Sequence, residues 1–287
     1  MRWIKGLVPT VIILLGALVL GCICYVSIWG APSFVVQRVE QALMEKGIPV
    51  HIETLKISLW PRAVVTLKNV ELLDPGVPPE ARRPVALLHE ADVALNWKEL
   101  IDGQVVPERL NVKGLDVNLP VDAEKPERVF STAGLNAELD LGRPGMVDIV
   151  KADAVVQGIS VTAQGAFSIG QGDSGDFTLT AEDMAAAREQ LNQVLKYLDR
   201  VKWPEASPPS LAVNLSDDPK GGVRVGMDLQ APSLRYGKIR VRDFLFSGDY
   251  ADSVIMAKRF TMRDAETAGF VNLSLQADLK KRSLIWD

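Results

Sequence analysis

Val65-Thr66-Leu67-Lys68-Asn69-Val70-Glu71-Leu72 is matched, roughly 45 residues on, by Leu110-Asn111-Val112-Lys113-Gly114-Leu115-Asp116-Val117, and these two octets decide how the chain folds. Each reads apolar-x-apolar, a long polar residue, then Asn or Gly, then apolar-x-apolar. Ala154 to Val161 and Ile239 to Phe246 fit the same template, with Gly158 and Asp243 at its fifth position. Alternation with period 2 is the pattern of a strand with one buried face. Strict alternation would put the two apolar pairs of an octet on opposite faces, because Leu67 and Val70 are three apart where two would keep phase. One extra residue in the strand restores a single face, and Asn, Gly and Asp tolerate the left-handed backbone that such a bulge needs. The reading is a repeated bulged strand that bends and twists an extended sheet built from stacked units. The plain alternative is coincidence in a Val/Leu/Gly-rich β protein.

Outward from the octets the same period continues. Val85-x-Leu87 and Ala91-x-Val93-x-Leu95-x-Trp97 alternate with Glu90, Asp92 and Asn96. Polar or Gly/Pro-rich breaks fall at 74–79, 122–126, 142–145, 170–175 and 217–222, so the pattern predicts antiparallel, mainly β architecture. Two helices are expected. Ser33 caps a short one, Phe34 to Lys46, with Val36, Val39 and Leu43 as its stripe and Gly47 as its stop. A longer one, near 181–202, opens with the capping box Thr180-x-x-Asp183 and lines Leu191, Val194, Leu195, Leu198 and Val201 on one face. It is expected to pack on the sheet. A lid over an apolar trough, or a membrane-surface helix using Lys196, Arg200 and Lys202, are the sharper readings. The chain thus divides into 1–30, 31–179, 180–209 with its Pro-rich linker, and 210–287.

Ahead of all this stands an unbroken apolar segment, Leu7 to Trp29. At about 1.5 Å per residue it is long enough for a hydrocarbon core of about 30 Å. Arg2 and Lys5 precede it, which predicts a cytoplasmic N-terminus with the bulk of the chain outside, although Arg38 and Lys46 weaken the asymmetry. Trp3, Tyr25 and Trp29 are its interfacial aromatics. A cleaved signal peptide would have a shorter apolar core and a small-x-small site. Val19-Leu20-Gly21-Cys22 faintly resembles a lipoprotein box, but the residues after Cys22 stay apolar. Both cysteines, Cys22 and Cys24, fall within the segment, so the exported part holds together without disulfides.

The chemistry on offer is thin. Net charge is −4 with no basic run, which argues against nucleic acid. Gly172-Asp173-Ser174-Gly175 resembles a serine-protease motif, yet only His51 and His89 exist to serve as base and neither has the surrounding sequence for it. A hairpin loop accounts for the same residues. Asp217-Asp218 reads as a solvated turn and not as a calcium loop. Asn214-Leu215-Ser216 and Asn272-Leu273-Ser274 are glycosylation triplets set in strand patterns. No zinc cluster, phosphate loop or cofactor motif is found, and no enzyme is predicted.

From the anchor through the second octet, the chain resembles the N-terminal part of AsmA-like envelope proteins. The match runs Gly47-Ile48-x-Val50-x-Ile52-x-x-Leu55-x-Ile57-Ser58, Pro61, Leu67-x-Asn69-Val70-x-Leu72, Ala91-x-Val93-x-Leu95, Leu100-x-x-Gly103, and Leu110-x-Val112-x-Gly114-Leu115-x-Val117-x-Leu119-Pro120. Leu229-x-Ala231-Pro232-x-Leu234 through Gly269-x-Val271 looks like the later repeating strands of that family. The resemblance implies an inner-membrane helix carrying a long, curved β-sheet, an open groove whose greasy concave face passes phospholipids toward the outer membrane. Val93, Leu95, Trp97, Leu110, Val112, Val117 and Leu119 are then candidate groove residues, although a closed sandwich core would use the same pattern. Inner membrane and phospholipids are the implied partners. In the other reading the protein is a sealed assembly factor that binds envelope or outer-membrane proteins through its sheet edge. Members of the family are usually longer, so this chain is expected to be the first part of a longer protein, the alternative being a short member that completes its sheet with a partner.

Overall fold

The computed structural model describes residues 30–287 apart from 60, 79, 81, 123–124, 169–180, 220, 265, 268, 279–282 and 287. The expected anchor, with Arg2, Trp3, Lys5, Tyr25 and Trp29, lies outside the described residues, as do the Gly172–Gly175 loop and Thr180. Among those described, no helix is long and apolar enough to cross a membrane.

Helix α1 (Ser33–Glu45) leads into strands β1 (Val50–Ser58), β2 (Val64–Leu73) and β3 (Pro84–Leu95). A five-residue helix, α2 (Trp97–Ile101), separates β3 from β4 (Pro107–Pro120). Three further strands, β5 (Val129–Asp140), β6 (Met146–Val156) and β7 (Ile159–Ser168), precede α3 (Ala181–Leu198) and the two-residue β8 (Val201–Lys202). The chain then runs through β9 (Ser210–Asp217), β10 (Val223–Tyr236), β11 (Ile239–Ala251), β12 (Val254–Asp264), β13 (Phe270–Asp278) and β14 (Ser283–Trp286). These strands form one large, curved, open sheet. Sequence neighbours pair throughout, except that β9 follows β7 and β8 sits beside β10.

One correction to the sequence reading concerns this layout. The sheet is not wholly antiparallel, because β7 and β9 pair in parallel, from Ser160 opposite Ser210 to Gly165 opposite Leu215. A parallel neighbour requires the chain to cross back along the sheet, and the α3–β8 passage makes that crossing. The open sheet itself stands as expected, in place of the alternative sandwich: among the described residues no large side chain is fully buried, and the buried apolar set is small, with Ile52, Leu55, Val85, Ala91 and Ala257 typical. The sheet is a single layer, held mainly by its own ladder.

The octets behave largely as the alternation demanded. Asn69, Gly114 and Asp243 all have left-handed backbone in mid-strand (φ 50°, 65° and 52°). Against β5, the pair Lys113–Gly114 opposes Asn136 alone, and against β12 the pair Asp243–Phe244 opposes Met262 alone, so both are bulges. On the other side of Asp243 the partner strand carries Pro232, which has no N–H to lose. Asn69 kinks β2 without shifting its register on either side. The third copy differs: Gln157 and Gly158 (φ 52° and 80°) form the two-residue hairpin turn between β6 and β7.

The helices close the margins. Pro32, not Ser33, occupies the N-cap of α1, and it offers no side-chain hydrogen bond. Gly47 is left-handed as expected (φ 78°). The helix covers the outer edge of β1, where Glu40 Oε1 accepts the Ile52 N–H at 2.7 Å and the Ala31 N–H reaches the Leu55 carbonyl at 2.6 Å. Those are edge groups that would otherwise invite another chain. Helix α3 ends at Leu198, earlier than expected. Its inward residues are Asn192 and Leu195, while Val194 is half out in solvent. Ion pairs fasten it to the ends of two strands, Arg188 to Asp74 and Asp199 to Arg128, each at 2.5 Å.

Gly165 sits where the parallel pair is tightest: φ is 132°, and a Cβ there would lie 2.0 Å from the Leu215 carbonyl oxygen. Gly165→Ala is expected to lower stability by about 3 kcal/mol. Gly134→Ala, whose added methyl meets nothing within 4 Å, is expected to cost about 1 kcal/mol from its left-handed backbone alone. Urea midpoints of the two variants check this, and equal losses would contradict the β7–β9 pairing.

Candidate functional site: a continuous apolar face

Residues directly opposite in a ladder project to the same face of a sheet, so register shows which side chains line up. One row runs Leu55, Leu67, Ala91, Val112, Ala137, Ala152, Ala163, Val213, Met227, Gly248, Ala257 and Leu275. A second, two positions along, runs Ile57, Val65, Val93, Leu110, Leu139, Ile149, Gly165, Leu215, Val225, Tyr250, Ile255 and Ala277. Every position in both rows lacks a charge. At about 4.8 Å per strand step the rows extend for about 50 Å along the curved sheet. Leu55, Ala91 and Ala257 are buried, and most of the others are half-exposed.

Keeping this face in phase takes a bulge that the sequence reading missed. Against β7, Val150 and Lys151 together oppose Gln164, which keeps Ile149 and Ala152 on one side and leaves Val150 49% exposed. The signal was present in Ile149-Val150-Lys151-Ala152, where alternation breaks without a Gly, Asn or Asp to mark it.

The opposite face is charged. Glu90 lies 2.6 Å from both Lys68 and Lys113, Lys113 also approaches Asp92 at 3.6 Å, and the Thr66 hydroxyl donates to Asp92 at 2.7 Å. Gln164 Nε2 donates to Asn214 Oδ1 farther along at 3.1 Å. Hydrogen bonds from Lys113 and Lys68 hold the Glu90 carboxyl down at about 2, and its partnership with Glu90 raises the Lys113 ammonium.

A polar seam crosses the strands beside the apolar rows. Asn69 donates to Glu53, and His89 Nε2 lies 3.4 Å from Asp116. Where the β4 and β5 bulges open the ladder, side chains take the freed donors: Gly114 N–H to Asn136 and Gly134 N–H to Asp116. Asn136 also donates to Asp153 and to the Gly134 carbonyl. Both histidines are therefore in structural contacts, His51 with Glu40 and His89 with Asp116. Asp217 accepts the backbone N–H and hydroxyl of Ser168, tying β9 to β7 and holding its own carboxyl below the ordinary range. Asp218 is buried and paired with Arg224, so this pair of acids is not the solvated turn its sequence suggested.

Of the expected groove residues, the structure brings together Val93, Leu110, Val112 and, at the end of β3, Leu95. Val93 and Leu110 pair directly. Val117 and Leu119 lie across the seam, Val117 opposite Ala86 and Thr132, and Leu119 buried opposite Phe130. Trp97 is not on a strand at all. Asn96 accepts the N–H groups of Lys98 and Glu99, turning the chain into α2 and leaving Trp97 42% exposed. At the far strand ends α3 overhangs an open cleft of about 660 Å³ lined by Asp74, Val85, Val121, Met184 and Arg188. No cluster of potential metal ligands occurs among the described residues.

Comparison with family models, curated proteins and solved structures finds no match to this chain.

Glu90→Gln would leave two lysines facing each other across β3. It is expected to cost about 1 kcal/mol at neutral pH, the scale of a partly exposed network. Because folding lowers the Glu90 pKa from 4.5 to about 2, its stabilisation is complete above pH 4.5 and is lost as pH falls toward 2. The gap between wild type and variant in urea midpoint should therefore close across that window.

Proposed function

We propose that this is a membrane-anchored lipid-handling protein of the AsmA-like type, non-enzymatic and without a cofactor. It holds phospholipid acyl chains on the apolar face and takes part in their passage between inner and outer membranes and in outer-membrane homeostasis. Leu7–Trp29 is the inner-membrane anchor, with Arg2 and Lys5 in the cytoplasm and Trp3, Tyr25 and Trp29 at the interfaces, so that the sheet stands in the periplasm.

The observation that carries this reading is the pair of uncharged rows running unbroken from β1 to β13 while the reverse face is ion-paired. Acyl chains laid along such a strip gain about 25 cal/mol for each Å² of apolar surface covered, without needing a specific polar contact. Headgroups stay in water at the margins. A strip of this length suits a chain-like ligand better than a compact one, since among the described residues it runs uninterrupted across twelve strands. The sealed-scaffold reading would place a second layer over these rows, and among the described residues they remain half-exposed.

Photo-crosslinking in intact cells tests it. p-Benzoylphenylalanine replacing Val93 or Leu110 is expected to capture phospholipid, whereas the same group replacing Asp92 or Asn111, on the reverse face of the same strands, is not. Equal capture on both faces, or none on either, would remove the lipid reading. Val112→Asp is expected to abolish capture at Val93 with strand content unchanged by circular dichroism.

A further inference from the structure

The tip between β3 and β4 carries the densest group of exposed large apolar side chains among the described residues. Ile101 is 76% exposed, Val105 71%, Trp97 42% and Val106 37%, all within ten residues. This is not a loosely exposed loop. Asn96 Oδ1 caps α2 through the Lys98 and Glu99 N–H groups, Gly103 closes it with left-handed backbone, and the Asn96 N–H is bonded to the Val106 carbonyl at 2.8 Å. A built turn that holds apolar side chains in water points to something that covers them.

The path of the chain says what. The first described residues lie along β1, where Ala31 bonds to Leu55. Leu55 is in register with Leu67 and Ala91, and Ala91 is four residues before Leu95, the end of β3. That is about 13 Å along the strands and about 10 Å across two of them. The tip therefore sits on the order of 20 Å from the point where the apolar segment Leu7–Trp29 joins the fold. Helix α1 runs from that point toward the opposite strand ends, since Gly47 leads into the start of β1, and Phe34 in its first turn is 65% exposed.

We infer that the β3–β4 tip is a second membrane contact, inserted into the interfacial layer of the phospholipid bilayer that holds Leu7–Trp29. The inference rests on the anchor reading. The side-chain chemistry fits that depth: Trp97 is the residue type favoured at a bilayer surface. Lys98 beside it and Arg62 on the adjacent β1–β2 connection are exposed cations of the kind that reach lipid phosphates. Glu99, Asp102 and Glu108 also lie in this region, with Asp102 one helical turn after Lys98, so the contact rests on the apolar side chains and not on net charge. Two attachments, one a segment and one a tip, fix the orientation of a sheet that a single tether would leave free to swing. They also place the first apolar strands of the trough next to the lipid source.

The test uses the full chain in vesicles of phosphatidylethanolamine and phosphatidylglycerol, with an environment-sensitive fluorophore on single cysteines. Ile101→Cys and Glu205→Cys, the latter on an exposed turn beyond β8, are each made in a Cys22→Ser, Cys24→Ser background. A third sample keeps native Cys22 and carries only Cys24→Ser. Lipids bearing a nitroxide high on the acyl chain are expected to quench the Ile101→Cys label at least about twofold more than the Glu205→Cys label, with the blue-shifted emission of an interfacial site. Quenching at Cys22 with none at Ile101→Cys would overturn the tip contact and leave the anchor standing. No quenching at either would overturn both. A blue shift at Ile101→Cys without lipid quenching would mean that a second copy or another protein covers the tip, and the inference would fall.

Discussion

Register is the constraint on which this molecule depends. A single-layer sheet has no second layer to punish a misplaced strand, yet a slip of one residue would turn that strand's apolar residues to the other face. Here twelve strands keep two uncharged rows in line, and the devices that hold the phase are visible: the bulge at Val150, between the two row positions of its strand, and the ion pairs that bridge β2, β3 and β4 on the reverse face. Lys68, Glu90 and Lys113 each contribute little as exposed charges. As a set they favour the observed pairing, because a slip of one residue would take Glu90 out of line with both lysines.

The bulges also bend. Each left-handed residue interrupts the ladder and increases local twist, and such interruptions recur at Asn69 on β2, Gly114 on β4 and Gly134 on β5. The freed N–H groups of Gly114 and Gly134 are met by Asn136 and Asp116. The curvature of the sheet is thus built from sequence-local features repeated strand by strand, in place of the pressure of an opposing layer. The margins are treated differently. The β1 edge is closed by Glu40 and by the backbone of Ala31, and α3 is laced by Arg188 and Asp199 across the strand ends.

Much of the fold was legible because β alternation is a local signal. The octets, the breaks between strands, the left-handed stop at Gly47 and the helix near 181 could each be read from a dozen residues or fewer. The failures also have local causes. Trp97 continued the alternation of Ala91, Val93 and Leu95, but Asn96 competes for the backbone ahead of it and starts a helix, a preference that outweighs one more matching residue. Val150 was missed because its bulge uses ordinary backbone. Gly158 fitted the octet template, yet with Gln157 before it the same left-handed pair made a turn.

Sequence alone determined that the chain is β-rich, that one face of each strand is apolar, and that Asn69, Gly114 and Asp243 would break the ladder, since each follows from the geometry of one strand. Only the tertiary structure decided that the faces join into continuous rows, that β9 enters parallel to β7, and that no second layer closes over them. Those are relations between different strands, as far apart in sequence as Gly165 and Leu215, and nothing in either strand's own alternation names its partner. The same holds for the candidate site: Val93 and Leu110 were recognisable as apolar, but their pairing, and the separation of Val117 and Leu119 from them by the seam, exist only once the strands are laid side by side.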